Sequence, residues 1–232
     1  MKLKKVTQSA KPAKTRWYDD ACGTALALEL VGERWSLLIV RELMFGGRRF
    51  GELKANLQGI SANILTQRLD GLEASGILVR RKLPPPASVQ IYELTPWGYE
   101  SETAIKELGR WAVRSPEHDP TLPLSAASLM MSFRTMLSAE RAGELKATIG
   151  FRLGAESFLG RLEHGVISIR REDPDGADLM IESDPMSLAS VVYGGRPIAD
   201  AEAAGVLELT GDRALAERYV TLFPLPEKAA PA

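Results

Sequence analysis

The stretch GISANILTQRLDGLEASG, residues 59–76, carries two different faces on one helical period. Leu65, Leu69 and Leu72 recur at i, i+4 and i+7, the spacing of one apolar stripe on a 3.6-residue turn. Asn63, Thr66, Gln67 and Asp70 share another face, with Arg68 flanking it. Ser61 is placed to cap the N-terminus and Gly76 to stop the C-terminus. A merely solvated face is usually rich in Lys and Glu. This one is rich in amides and hydroxyls, the groups that bond base edges in a DNA major groove. A solvated surface helix remains the alternative on composition alone, so the flanking sequence has to decide.

The flanks supply an order of elements. Leu26, Leu30, Leu37, Leu38, Val40 and Leu43 make residues 25–45 a long apolar-periodic helix, broken by GGRR at 46–49. Phe50, Leu53 and Leu57 define a short second helix, which makes 59–76 the third. Strand-forming runs at 77–83 and 88–95 flank a Pro-rich tip and predict a β-hairpin. Residues 96–114 return to helix, with Tyr99, Ile105, Leu108 and Trp111 at apolar positions. Helix, short helix, polar-faced helix and hairpin is the order of a winged helix-turn-helix. There the third helix enters the major groove and the hairpin reaches flanking backbone.

Length and charge agree with two units. The 232 residues carry a net charge of −1, yet residues 1–115 sum to +6 and residues 116–232 to −7. A basic half suits a polyanion and an acidic half would avoid it. Proline-rich RSPEHDPTLPLS at 114–125 marks the break. The expected organisation is a disordered basic arm at 1–17, a DNA-binding domain at 18–114, a linker at 115–124 and an α+β domain at 125–226. No apolar run approaches the roughly 20 residues needed to span a bilayer, and no signal peptide is evident. A single cysteine fits a reducing cytoplasm.

Residues 18–111 resemble the HxlR family of bacterial winged-helix regulators. The resemblance rests on Cys22, LVGERWSLLIVREL (30–43), the run from Gly46 to Arg81, and YELTPWG (92–98). Members commonly carry Pro after that cysteine, where this chain has Gly23, and the hairpin tip departs from the pattern as PPPASVQIY. The resemblance implies a homodimer on a pseudo-palindromic operator in double-stranded DNA. The candidates for base contact are Asn63, Thr66, Gln67 and Arg68. Those for the DNA backbone are Arg48, Arg49, Lys54, Ser61, Arg80, Arg81 and Lys82. Asp70 would repel phosphate unless it accepts from cytosine or pairs with Arg68. Leu108 and Trp111, with the segment from Ala25 to Leu30, are the expected dimer surface. Trp35, Phe50, Trp97 and Trp111 read as core or dimer packing. Cys22 is a candidate redox sensor, because some relatives sense oxidants through a cysteine in this region. Asp19 and Asp20 would push its pKa up, and the plain reading is a small buried hydrophobe.

The acidic half alternates strand-like and helical runs. ESDPMSLASVVYGG and GVLELTGDRALAERYVTLF resemble, more loosely, the sterol carrier protein-like fold. That resemblance implies an apolar cavity between sheet and helices, for which Met130, Met131, Met136 and Leu137 are candidate lining residues and an apolar small molecule a candidate effector. Plain core is their alternative role. No nucleophile elbow, phosphate-cradling loop or metal spacing is present, so neither catalysis nor a cofactor or metal is expected. Acidic residues 172–178 read as a charged turn. The competing function is a lipid or small-molecule binding protein whose winged helix contacts other proteins.

Overall fold

The structure is a computed structural model describing residues 18–86 and 88–230; the expected basic arm lies outside them. The first half holds α1 (Gly23–Val31), α2 (Ser36–Leu43), α3 (Phe50–Asn56) and α4 (Ala62–Ala74). The antiparallel hairpin β1 (Leu78–Lys82) and β2 (Gln90–Leu94) follows, then α5 (Pro96–Glu100) and α6 (Glu102–Ala112). The expected long helix over 25–45 is two helices. Trp35 adopts φ 81°, a left-handed conformation that a bulky residue enters only at a cost, and this turns the chain between α1 and α2. The segment 96–114 likewise divides at Ser101. Gly98 explains how closely α5 docks: a Cβ there would overlap the Ile77 carbonyl.

The second half begins with α7 (Ala126–Met136) and α8 (Ala139–Ala142). Then come β3 (Ala147–Leu153), β4 (Glu156–Glu163), β5 (Val166–Arg170) and β6 (Leu179–Ser183), followed by α9 (Pro185–Val192), α10 (Ile198–Ala203), β7 (Leu207–Gly211) and α11 (Arg213–Tyr219). The five strands form one mixed sheet in the order β5-β4-β3-β6-β7, parallel only between β3 and β6. The fold class is therefore a mainly α winged helix-turn-helix region followed by an α+β domain. Asp184 caps α9 through the N–H groups of Met186 and Ser187, both at 2.9 Å, with Pro185 at the first helical position. In the charged turn, Asp175 pairs with Arg152 and Glu172 with Arg161.

One expectation about packing changes. The space between sheet and helices is filled by aromatic rings: Phe133 stacks on Phe223 at 4.7 Å and meets Tyr219 edge-on at 5.8 Å, and Phe151 joins them. Met130 is fully buried in this core and Leu137 packs against it. Met131 and Met136 line a cleft elsewhere, between α6 and α7, so the four residues do not share one cavity. Among the described tryptophans, Trp35 packs against the core, and Trp97 and Trp111 are exposed, as residues of a dimer surface would be in one protomer.

The halves are not loosely tethered. A single buried cluster runs from Ile39 on α2 through Leu72 on α4 to Phe223. Residues 227–229 return to the start of the linker, where Ala229 N–H donates to the Arg114 carbonyl at 2.7 Å and Lys228 Nζ to those of Val113 and Ser115. Among the described residues no helix is long and apolar enough to cross a membrane. Truncating Phe133 to Ala removes the ring on which four other aromatic side chains pack. Denaturant unfolding should show a loss of about 3–5 kcal/mol; a loss under about 1 kcal/mol would mean the rings repack without it.

Candidate nucleic-acid interface

The α4 helix is built as its periodicity requires. Ser61 caps it, accepting from the Ile64 N–H at 3.2 Å. Leu65, Leu69 and Leu72 are at most 1% exposed and anchor it to the core. Asn63, Thr66, Gln67 and Asp70 are all exposed on the opposite side. Thr66 Oγ1 donates to the Ala62 carbonyl at 3.0 Å, which leaves its methyl available to a partner.

Arg68 departs from this face. Its guanidinium pairs with Glu33 at 2.7 Å and donates to the Arg34 carbonyl at 3.0 Å. It thus braces α4 against the α1–α2 turn and turns away from Asn63 and Thr66. The helical period contains the reason: at about 100° per residue, Arg68 lies about 140° from Asn63. Gln67 borders a cleft on that same side, together with Glu29 and Glu33.

The hairpin meets the exposed face of α4 through one arginine. Arg80 pairs with Asp70 and, at 2.9 Å, with Glu73, both on α4. Its guanidinium also lies over the Tyr92 ring, 5.6 Å from the centroid. Asp70 therefore finds its cation on the wing and not in Arg68, and its repulsion of phosphate is offset there. Arg81 pairs with Glu93 at 3.0 Å on the other face of the hairpin. Lys82 and Arg49 are exposed and carry no side-chain ion pair among the described residues, while Lys54 on α3 is half-buried.

Arg48 does not belong with them. It is 8% exposed, and its Nη2 pairs with Glu156 of β4 at 2.9 Å. A guanidinium committed beneath the wing cannot meet phosphate without breaking that pair, so Arg48 leaves the backbone set. Nothing local in GGRR separates Arg48 from Arg49. The partner stands more than a hundred residues away, which is why the sequence did not distinguish them.

Cys22 is exposed at the N-cap of α1, not buried. It makes no full capping hydrogen bond. Even so, the Thr24 backbone N–H first, then the Thr24 hydroxyl and the Ala25 N–H, favour the thiolate and hold the thiol below its ordinary range. The two aspartates do not reverse this, and Asp20 turns its carboxylate to the Cys22 N–H at 2.8 Å. Among the described residues no group of three His, Cys, Asp or Glu side chains could hold a metal ion.

Two families match the chain in series. Residues 30–119 match the family described as HxlR-like helix-turn-helix, and residues 119–229 match Alkyl sulfatase C-terminal. An uncharacterized HTH-type transcriptional regulator of Mycobacterium tuberculosis is 46% identical over 37% of this chain. The chain spans about half the length of that relative, 53%. The HTH-type transcriptional regulator YodB of Bacillus subtilis is 37% identical, over 37% of this chain and 77% of its own length. Among solved structures, the reduced form of YodB is 35% identical and covers 42% of this chain and 98% of that one, with a TM-score of 0.39. The sec-alkylsulfatase Pisa1 from Pseudomonas sp. is 16% identical, covering 43% of this chain and 16% of that chain, with a TM-score of 0.38. With its winged-helix architecture and the YodB relative, of which it covers 77%, the chain belongs to the HxlR-like helix-turn-helix family, and behind that region its residues 119–229 are similar to the Alkyl sulfatase C-terminal family.

Proposed function

We propose that the protein is a non-enzymatic, sequence-specific regulator that acts in the cytoplasm as a homodimer on a pseudo-palindromic operator. The observation that carries this reading is the α4 surface: three buried leucines behind, and amide and hydroxyl groups exposed in front. Asn63, Thr66 and Gln67 read base edges, with the amides paired to adenine and the Thr methyl against thymine. Arg49, Lys54, Ser61, Arg80, Arg81 and Lys82 hold the DNA backbone on either side. Leu26 and Leu28 on α1, with Leu108 and Trp111 on α6, leave large apolar side chains exposed, and a second copy covers them.

A further reading concerns an effector. The cleft between α6 and α7 has a volume of about 450 Å³ and is lined by Leu38, Ile105, Leu108, Met131 and Met136 among others. One wall comes from the winged-helix region and the other from the second domain. An apolar molecule lodged there touches both, and its coupling to DNA must be reciprocal. Operator affinity measured on delipidated protein should change when an apolar ligand saturates the cleft, and ligand affinity should change by the same factor when operator is added. Independence of the two equilibria would leave the cleft a packing feature.

Binding selection from random DNA followed by titration of single variants tests the main reading. Gln67→Ala should alter preference at one base pair by about 1–3 kcal/mol. Arg49→Ala should weaken every sequence alike and reduce the salt slope by about one. Uniform loss from both variants would show that Gln67 does not read sequence. A third prediction concerns Cys22 as a thiol sensor. Because its folded pKa is lowered, thiolate is present below the pH at which an ordinary cysteine ionises, about 8.5. Alkylation at neutral pH should therefore be faster than for a free cysteine, and oxidant should change operator affinity. A slower rate with unchanged affinity would assign Cys22 to the surface alone.

A further inference from the structure

The contact between the two domains includes a cluster of buried ionic groups beside its apolar core. The carboxylate of Glu156, on the first residue of β4, is 12% exposed and faces three donors. Arg48 Nη2 lies at 2.9 Å, Arg171 Nη2 at 2.8 Å and Asn56 Nδ2 at 2.8 Å. Two of those donors belong to the winged-helix region. Asn56 also donates to the fully buried Glu42 at 3.1 Å, and Ser125 closes the seam by donating to Glu42 at 2.7 Å.

From Arg48 a continuous set of contacts runs to the DNA-reading surface. The Arg48 backbone is bridged to β2: its N–H donates to the Tyr92 carbonyl at 2.9 Å and its carbonyl accepts from the Tyr92 N–H at 2.8 Å. The Tyr92 ring supports Arg80, and Arg80 holds Asp70 on α4. Each link is a direct contact between side chains or backbone, and none requires the intervening core to move. If Glu156 lost its charge, Arg48 would keep only the longer contact of its Nε with the exposed Glu52 carboxylate, 3.7 Å away, and Arg171 only the more distant Glu42, so two guanidinium groups in a largely buried site would lose the carboxylate that they share. Leaving a buried charge poorly compensated is costly, so Arg48 would shift toward Glu52 and solvent, and the strand bonded to it would shift with it.

We infer that Glu156 of the second domain is a positioning residue for DNA binding: through Arg48 and Tyr92 it sets where the wing and Arg80 stand relative to α4. This rests on the reading of the protein as an operator-binding regulator. It gives the second domain a role that needs no ligand, since the domain supplies the carboxylate on which the wing is seated.

The test uses the full chain and the duplex that it selects from random DNA. Glu156→Gln removes a negative charge from an acidic domain, so general electrostatics predict tighter binding to a polyanion. The inference predicts the opposite: affinity weaker by about tenfold, within the range for coupling through contact networks. Footprinting should lose protection at the flank contacted by the wing and keep it at the bases contacted by α4. Asp175→Asn, which removes the same charge from an exposed ion pair with Arg152, should not weaken binding. Arg48→Met should reproduce the loss of flank protection without the reduction of about one in salt slope that a phosphate contact would give. The double variant should lose no more than either single one. In the free protein, both variants should speed hydrogen exchange at the Tyr92 amide.

Wild-type affinity and footprint in Glu156→Gln would overturn the inference and leave the regulator reading intact. If Glu156→Gln does not fold, Arg48→Met decides on the same flank and exchange measurements. A wild-type chain that selects no duplex would remove the regulator reading itself, and unchanged exchange at Tyr92 would then remove the seating of the wing as well.

Discussion

Burial of Leu65, Leu69 and Leu72 is the constraint from which the rest follows. A helix with three leucines on one stripe has one low-energy orientation against a core, because exposing each would forfeit about 1.5–3 kcal/mol. Once that stripe is fixed, the side facing outward is fixed too, and it is the side with Asn63, Thr66, Gln67 and Asp70. The hydrogen-bonding groups are presented not by any interaction of their own but by what lies behind them. The wing is arranged around that helix in turn, with Arg80 reaching across to the α4 carboxylates.

The joint between the domains uses a different principle. Alongside apolar contacts it contains Glu42, Glu156, Arg48 and Arg171, all largely or wholly buried. Burial lowers the pKa of Arg171 first, and the neighbouring Arg48 adds to the effect. Such a joint contributes little net stability, because desolvation offsets attraction. What it supplies is a defined relative placement: a carboxylate with three donors has few satisfactory arrangements, whereas an apolar seam tolerates sliding. Arg134 follows the same pattern, pairing with Glu102 of α6 at 3.1 Å while its guanidinium lies over Phe45.

The parts of the molecule legible in its sequence are those set by local periodicity and local capping. The α4 stripe, the hairpin at residues 77–95 and the Asp184-Pro185 start of α9 all depend on residues a few positions apart. The HxlR resemblance was carried by several motifs in order, and the chain does belong to that family. What failed was set by distant partners. Arg48 and Arg49 are adjacent and chemically identical, yet Glu156 takes one and leaves the other exposed. The break at Trp35 was hidden because the apolar pattern continues through it, and the aromatic filling of the second domain depends on Phe133, Phe151, Tyr219 and Phe223 converging from separate elements. Arg68 is a different case: it only flanks the face shared by Asn63, Thr66 and Gln67, and its angular position already separates it from Asn63 by about 140°.

The bond between Ala229 and Arg114 has a consequence for how the second domain is held. Entry to the second domain and return from it lie side by side at the foot of α6, within one hydrogen bond of each other. The same closure ties both ends of the second domain to one point, so a twist about that point is resisted by the carboxylate seam together with the apolar core that both halves share and the Arg134–Glu102 pair.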